Sequence, residues 1–177
     1  MLDPRSGTYE SPYRPEDVRV PAASLDGMRA LAAAGYPLVL ASNQPAAAKA
    51  TVGLVALQAV HGRLVEILDA AGIVLAGARY CHHHPRGIVA ALSGPCACRQ
   101  PEPGLILAAA AELGLEPARS WMVGDSDTDI EAGRRAGCRT ILVENPASAP
   151  RRQGGSRPDG VAADLAVAAA LIILSSS

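Results

Sequence analysis

Short apolar runs alternate with helix-patterned segments along most of the chain. This alternation constrains the fold more than any other feature of the sequence. Pro37 to Ala41, Ala78 to Cys81, Trp121 to Val123 and Thr140 to Val143 read as short buried strands. A helix is predicted over Leu25 to Ala34, with Ser24 as its cap and Gly35 as its stop. A longer one covers Thr51 to Ala71, where Leu54, Leu57, Leu64, Ile67 and Leu68 recur at helical spacings before Gly72. Gly104 to Leu113 and Asp127 to Ala136 end at Gly114 and Gly137, and a last helix is predicted over Ala163 to Leu174. Pro146 to Pro158 is rich in Pro, Gly, Arg and Ser and reads as an exposed loop. This order of elements predicts an α/β fold, a Rossmann-like doubly wound parallel sheet, as a single domain over residues 1–177. Ligands of such sheets bind at the carboxyl ends of the strands, so the residues just after each strand are the candidate site.

Composition removes several classes of function. Net charge is −1, aromatic residues make up 3% and Phe is absent, so neither a basic field nor a stacking platform argues for nucleic acid. Apolar runs such as Leu165 to Leu174 are too short to span a bilayer, and the first twenty residues carry Pro4, Pro12 and Pro15 instead of an apolar signal core. A cytoplasmic protein, monomeric and without membrane partners, is expected.

Three of the four cysteines and three of the four histidines fall between Tyr80 and Pro103. Cys81 and His83 form a Cys-x-His pair, and Cys96 and Cys98 a Cys-x-Cys pair. Three thiolates and an imidazole make a closed tetrahedral zinc site, which holds a loop in place instead of doing chemistry. Alternate residues of an extended loop point the same way, which puts His83 on the side of Cys81, with His82 and His84 as competitors. Such clustering suits metal ligation in a reducing compartment better than a disulfide framework.

Three strand ends carry chemistry. Ser42-Asn43-Gln44 could cradle a phosphate with a hydroxyl and backbone amides, or form an ordinary polar turn. Gly124 to Asp129 places Asp125, Asp127 and Asp129 within five residues, a set that suits magnesium; capping of the following helix by Asp127 or Thr128 is the competing role. Arg99, directly after Cys98, would be a phosphate clamp held by the zinc loop, 81–98, or else a surface side chain.

Taken together, Ser42-Asn43-Gln44, Cys81 to Pro101 and Met122-Val123-Gly124-Asp125 through Asp129 to Gly133 closely resemble the haloacid-dehalogenase (HAD) superfamily of phosphatases. The similarity spans about residues 7 to 145 and is nearest to the branch of histidinol-phosphate and D-glycero-D-manno-heptose 1,7-bisphosphate phosphatases. The resemblance implies a HAD-like fold with a structural zinc, magnesium dependence and a small phosphorylated metabolite as substrate. It implies an attacking carboxylate at the end of a first apolar strand and a second carboxylate two residues later as general acid. Ser42, Asn43, Arg99 and the position of Gln100 would surround the phosphate, Ser42 within the catalytic centre, and Asp125 would share magnesium with the nucleophile. This chain departs from that pattern at its start. The first strand is cut to Met1-Leu2, Pro4 or Asp3 stands at the nucleophile, and Ser6 stands at the acid. Neutral Gln100 replaces the family's lysine, and Pro45-Ala46 replaces its Ser-Gly. Two functions follow: a phosphatase of a sugar phosphate of the heptose bisphosphate type acting through Asp3 or through residues upstream of Met1, or an inactive zinc-binding relative that retains a phosphate ligand or binds a protein partner.

Overall fold

The computed structural model describes residues 11–175, and the alternation read from the sequence becomes five helices and five strands among them. In order these are α1 (Ala22–Ala33), β1 (Val39–Asn43), α2 (Leu54–Ala70), β2 (Gly77–Cys81), α3 (Gly104–Leu113), β3 (Trp121–Gly124), α4 (Asp127–Ala136), β4 (Arg139–Val143), β5 (Gly160–Ala162) and α5 (Leu165–Leu174). The proposed nucleophile Asp3, with Pro4 and Ser6, lies outside the described residues.

Element boundaries differ from expectation for local reasons. α1 starts three residues early because Pro21 holds an extended backbone and its carbonyl accepts from the Ser24 and Leu25 amides, which places Ser24 inside the first turn instead of at the cap. β1 sits two residues later than predicted, since its register pairs Val39 with Gly77 and Asn43 with Cys81. That shift makes Ser42 and Asn43 the last residues of the strand. α2 begins at Leu54 because Thr51 is drawn back by a bond from its amide to the Ala46 carbonyl. Asp164 caps α5 by accepting from the Val167 amide at 2.9 Å. The segment expected as plain loop contains a 3-10 turn, Pro146–Arg151, and leads into β5, which is three residues long and too short to show a strand period.

All pairings are parallel. β1 pairs with β2, and β3, β4 and β5 pair in that order, so the described strands form the expected sheet in two parts. The core lies on the β3–β5 side. Ile141, Ala162, Ala168, Ala169, Ile172 and Leu31 form one buried cluster, against which Trp121, Val123 and Leu38 pack. With aromatic residues scarce, the alanines let α1 and α5 lie close together over the sheet. Among the described residues no helix is long and apolar enough to cross a membrane.

Candidate active site

The ends of the strands bring the chemistry-bearing residues together. β2 ends on Cys81, which is fully buried, and the loop that follows returns Cys96 and Cys98 to it. Cys81 Sγ lies 3.6 Å from Cys96 Sγ and 2.9 Å from Cys98 Sγ, and Cys96 and Cys98 are 3.5 Å apart. His83 Nδ1 lies 3.8 Å from Cys81 Sγ and 3.6 Å from Cys98 Sγ. A tetrahedral metal with bonds of about 2.3 Å to sulfur separates its sulfurs by about 3.8 Å, so this donor set fits zinc once the Cys81–Cys98 edge opens by a fraction of that length. Burial, reinforced by the Cys98 thiol, pushes the Cys81 thiol up to about 12. Among the described residues these four are the one group of three or more metal-ligating side chains gathered within reach of an ion. The other two histidines face elsewhere. His82 Nδ1 meets the Gln44 carbonyl at 3.3 Å and its ring stacks on Tyr80, while His84 Nδ1 accepts from the Arg86 amide.

The loop is fastened to β1 by Asn43. Its Nδ2 donates to the Gln100 carbonyl and its Oδ1 accepts from the Gln100 amide, both at 3.1 Å. Asn43, expected beside a phosphate, closes a two-point clamp on the backbone two residues after Cys98. Ser42 Oγ accepts from Gln44 Nε2 at 3.4 Å. Arg99 is half-buried and donates from Nη1 to the His83 carbonyl at 3.0 Å, so its guanidinium is tied to the loop. Gln100 is 4% exposed, and its Nε2, like Gln44 Oε1, is buried with no partner among the described residues.

The three carboxylates at the end of β3 suited either magnesium or helix capping in sequence, and the structure divides them. Ser126 is the N-cap of α4 and forms a capping box with Asp129, whose Oδ2 accepts from the Ser126 amide at 3.1 Å and hydroxyl at 2.7 Å. Burial raises the Asp129 carboxyl above its ordinary value, against the opposing pull of the Ser126 hydroxyl. Gly124 is required here, since a Cβ on it would stand 2.3 Å from Asp129 Cβ. Asp127 turns to the β4–β5 segment, accepting from the Gln153 amide and the Ser156 hydroxyl, each at 2.6 Å. Those bonds, the Ser156 hydroxyl foremost, hold its carboxyl below the usual range. Asp125 alone of the three stays with the strand ends. Its Oδ2 accepts from Asn145 Nδ2 at 3.0 Å, and its carbonyl accepts from Ser148 Oγ at 2.9 Å and Arg152 Nη1 at 3.4 Å. One carboxylate suits magnesium, which keeps several waters and binds proteins through one or two such groups.

Sequence reading missed Asn145, Ser148 and Arg152, which hold Asp125 in place. The available signal was Asn145-Pro146 one residue beyond a predicted strand, a turn-initiating pair at the same end of the sheet as Asp125.

Comparison with known proteins agrees with this geometry. Residues 97–168 match the HAD-hydrolase-like family. D-glycero-D-manno-heptose-1,7-bisphosphate 7-phosphatase of Thermosynechococcus vestitus is 38% identical over 164 residues, covering 88% of this chain and 84% of that protein. The corresponding Pseudomonas aeruginosa enzyme is 31% identical over 153 residues, covering 85% and 82%. The structure of D,D-heptose 1,7-bisphosphate phosphatase from B. bronchiseptica, complexed with magnesium and phosphate, superposes with a TM-score of 0.81 at 28% identity, covering 96% of this chain and 93% of that one. On fold, on motifs and on these relatives, the chain belongs to the HAD-like hydrolases, in the family of the heptose 1,7-bisphosphate 7-phosphatases.

Proposed function

We propose that this chain takes a phosphorylated sugar of the heptose bisphosphate type at its strand ends, with zinc as a structural staple and magnesium at Asp125, and that its turnover is far below what the fold can sustain. The two-point clamp between Asn43 and the Gln100 backbone carries the reading, because it joins the thiolate–imidazole loop to the strand end that bears Ser42. Zinc would be held by Cys81, His83, Cys96 and Cys98, and would fix Arg99 through the His83 carbonyl. Magnesium, when bound, supplies positive charge against the phosphoryl oxygens. Arg99 binds the phosphate as a guanidinium fork, and Ser42 orients it. Asp3 serves as the attacking carboxylate and shares the cation with Asp125. Ser6 at the acid position cannot deliver a proton to the leaving oxygen near neutral pH, which lowers the rate by about a hundredfold to ten-thousandfold. Cysteines serving as zinc ligands suit a reducing cytoplasm.

The B. bronchiseptica relative with bound magnesium and phosphate supports the ligand class. The test is phosphate release from D-glycero-D-manno-heptose 1,7-bisphosphate, measured beside calorimetric binding of the same compound. Binding weakened by Arg99→Ala, with slow magnesium-dependent release lost in Asp3→Asn and Asp125→Asn, is expected. Release unaffected by either aspartate change overturns the catalytic assignment, and no binding by folded, zinc-loaded protein overturns the ligand. A second reading, a phosphate-binding protein without catalysis, is favoured by buried Gln100, whose free Nε2 can donate to a phosphate oxygen but carries no charge. Binding with no release at any magnesium concentration selects it.

A further inference from the structure

Three thiols stand within 3.6 Å of one another, and one pair is closer than the rest. Cys81 Sγ and Cys98 Sγ are 2.9 Å apart. Sulfurs around a tetrahedral zinc stand about 3.8 Å apart and those of a disulfide about 2.05 Å, so this pair lies about 0.9 Å from either state. The two residues differ in freedom and access. Cys81 ends β2, pairs with Asn43 in the ladder and is fully buried, and its carbonyl accepts from the Gln44 amide at 2.8 Å. Cys98 belongs to the loop and is only partly buried. The sulfur that solvent reaches is therefore also the one free to move toward its partner. The other pairings are less well placed. Cys96 lies 3.6 Å from Cys81. Cys96 and Cys98 flank Ala97, whose carbonyl is held by the Gly104 amide at 3.0 Å. Cys138 is buried and stands outside the group.

We infer that Cys81 and Cys98 form a reactive dithiol that a hydroperoxide closes to a disulfide, expelling zinc from the loop. The Cys98 thiolate attacks the peroxide, the O–O bond breaks, and the alcohol or water that leaves takes up a proton, so that Cys98 becomes a sulfenic acid. The Cys81 thiolate then attacks the Cys98 sulfur, the S–O bond breaks, and the departing hydroxide is protonated to water. Two thiolates are oxidised by two electrons and the peroxide is reduced by two. Zinc is left with His83 and Cys96, two of its four ligands, and passes to solvent. The Asn43–Gln100 clamp contains no sulfur, so the loop stays fastened to β1. His83 loses its metal, and Arg99, which donates to the His83 carbonyl, loses its support. This last consequence rests on the phosphate reading, whereas the dithiol chemistry does not.

The test treats the full zinc-loaded chain with hydrogen peroxide in the presence of a chromophoric chelator. Release of zinc in step with the loss of two thiols is expected, with a cross-link between the tryptic peptides Tyr80–Arg86 and Gly87–Arg99 that fragmentation assigns to Cys98. Dithiothreitol and zinc should restore the starting state, and Cys138→Ala should behave as the parent. Zinc retained after two thiols are lost overturns the inference. So does a disulfide that joins Cys96 to Cys98, uses Cys138 or links two chains, and so does oxidation that ends in sulfinic or sulfonic acid without a disulfide. Inorganic phosphate then probes the consequence for Arg99, with binding about tenfold or more weaker in the oxidised protein and restored on reduction. Equal phosphate binding in both states overturns that coupling. Absence of phosphate binding in the reduced, zinc-loaded protein counts against the phosphate reading and leaves the dithiol result standing.

Discussion

Replacing Gly104 with alanine tests whether the cysteine loop is positioned as the structure has it. Gly104 opens α3, and its amide donates to the Ala97 carbonyl at 3.0 Å. A Cβ at this position would stand 2.3 Å from Ala97 O, 2.9 Å from Ala97 C and 3.1 Å from Cys98 Cα. All three are backbone atoms, so no side-chain rotation relieves the clash, and the Ala97 peptide must retreat by roughly 1 Å to reach ordinary contact. Ala97 joins two of the four proposed zinc ligands, and ligand positions tolerate only about 0.2 Å. Alanine's helix propensity favours the variant by at most about 1 kcal/mol, while overpacking against rigid backbone costs about 1–3 kcal/mol, so the clash wins. Perturbing the support of a metal ligand typically lowers affinity by about 10- to 100-fold, equivalent to about 1.4–2.7 kcal/mol. The assay is zinc competition against a chromophoric chelator, with cobalt substitution to read sulfur coordination from its charge-transfer bands. Gly53→Ala is the control, since nothing lies within 4 Å of a Cβ there. A Gly104→Ala protein with unchanged zinc affinity and an unchanged cobalt spectrum refutes the placement of the loop.

Asn43→Ala leaves the Gln100 amide and carbonyl without their partner; it lowers stability by about 1–3 kcal/mol in urea denaturation and weakens zinc binding in parallel. Asp127→Ala frees the Gln153 amide and Ser156 hydroxyl, so trypsin cuts faster at Arg151 and Arg152 while thermal stability barely changes. The Asp129 carboxyl is raised from its ordinary 3.8, so the folded state holds that proton more tightly than the unfolded state, and this group's contribution to stability falls as pH rises from there through its folded pKa. Urea titrations of metal-free protein across pH should show that fall flattened in Asp129→Asn. Gln100→Lys restores a cation beside the proposed phosphate and should tighten phosphate binding about tenfold or more by calorimetry.

What could be read from sequence divides along a physical line. Helices α3 and α4 were legible almost to the residue because glycines Gly114 and Gly137, both in left-handed conformation, mark their ends locally. The Cys81, His83, Cys96 and Cys98 group was legible because metal ligation leaves a residue-type signature that survives any backbone path. β1 was displaced by two residues because its limits are set by register with β2, a long-range property. The Asp cluster stayed open between magnesium binding and capping for a related reason. Composition counts carboxylates, but only tertiary structure shows that Asp129 answers to Ser126 and Asp127 to Ser156. Asn43 illustrates the limit most sharply, since a strand-end amide looks the same in sequence whether it meets a phosphate or a backbone 57 residues away.

The contacts that shape this site differ in kind from those that would drive its chemistry. Asn43 holds Gln100 through backbone groups, Arg99 grips the His83 carbonyl, and Arg152 and Ser148 both bind the Asp125 carbonyl. Each of these bonds addresses main chain, which every sequence supplies, so the arrangement does not depend on which side chains occupy the catalytic positions. Phosphoryl transfer depends on a few charged or acidic groups, and in the proposed reading Pro4 or Asp3, Ser6 and Gln100 stand at those positions. Exchanging lysine for glutamine at position 100 removes a charge but leaves the backbone clamp on Asn43 intact. The backbone arrangement is therefore separable from the charged groups, so in the proposed reading the loss of the charge at position 100 weakens the hold on a phosphate without dismantling the site around it.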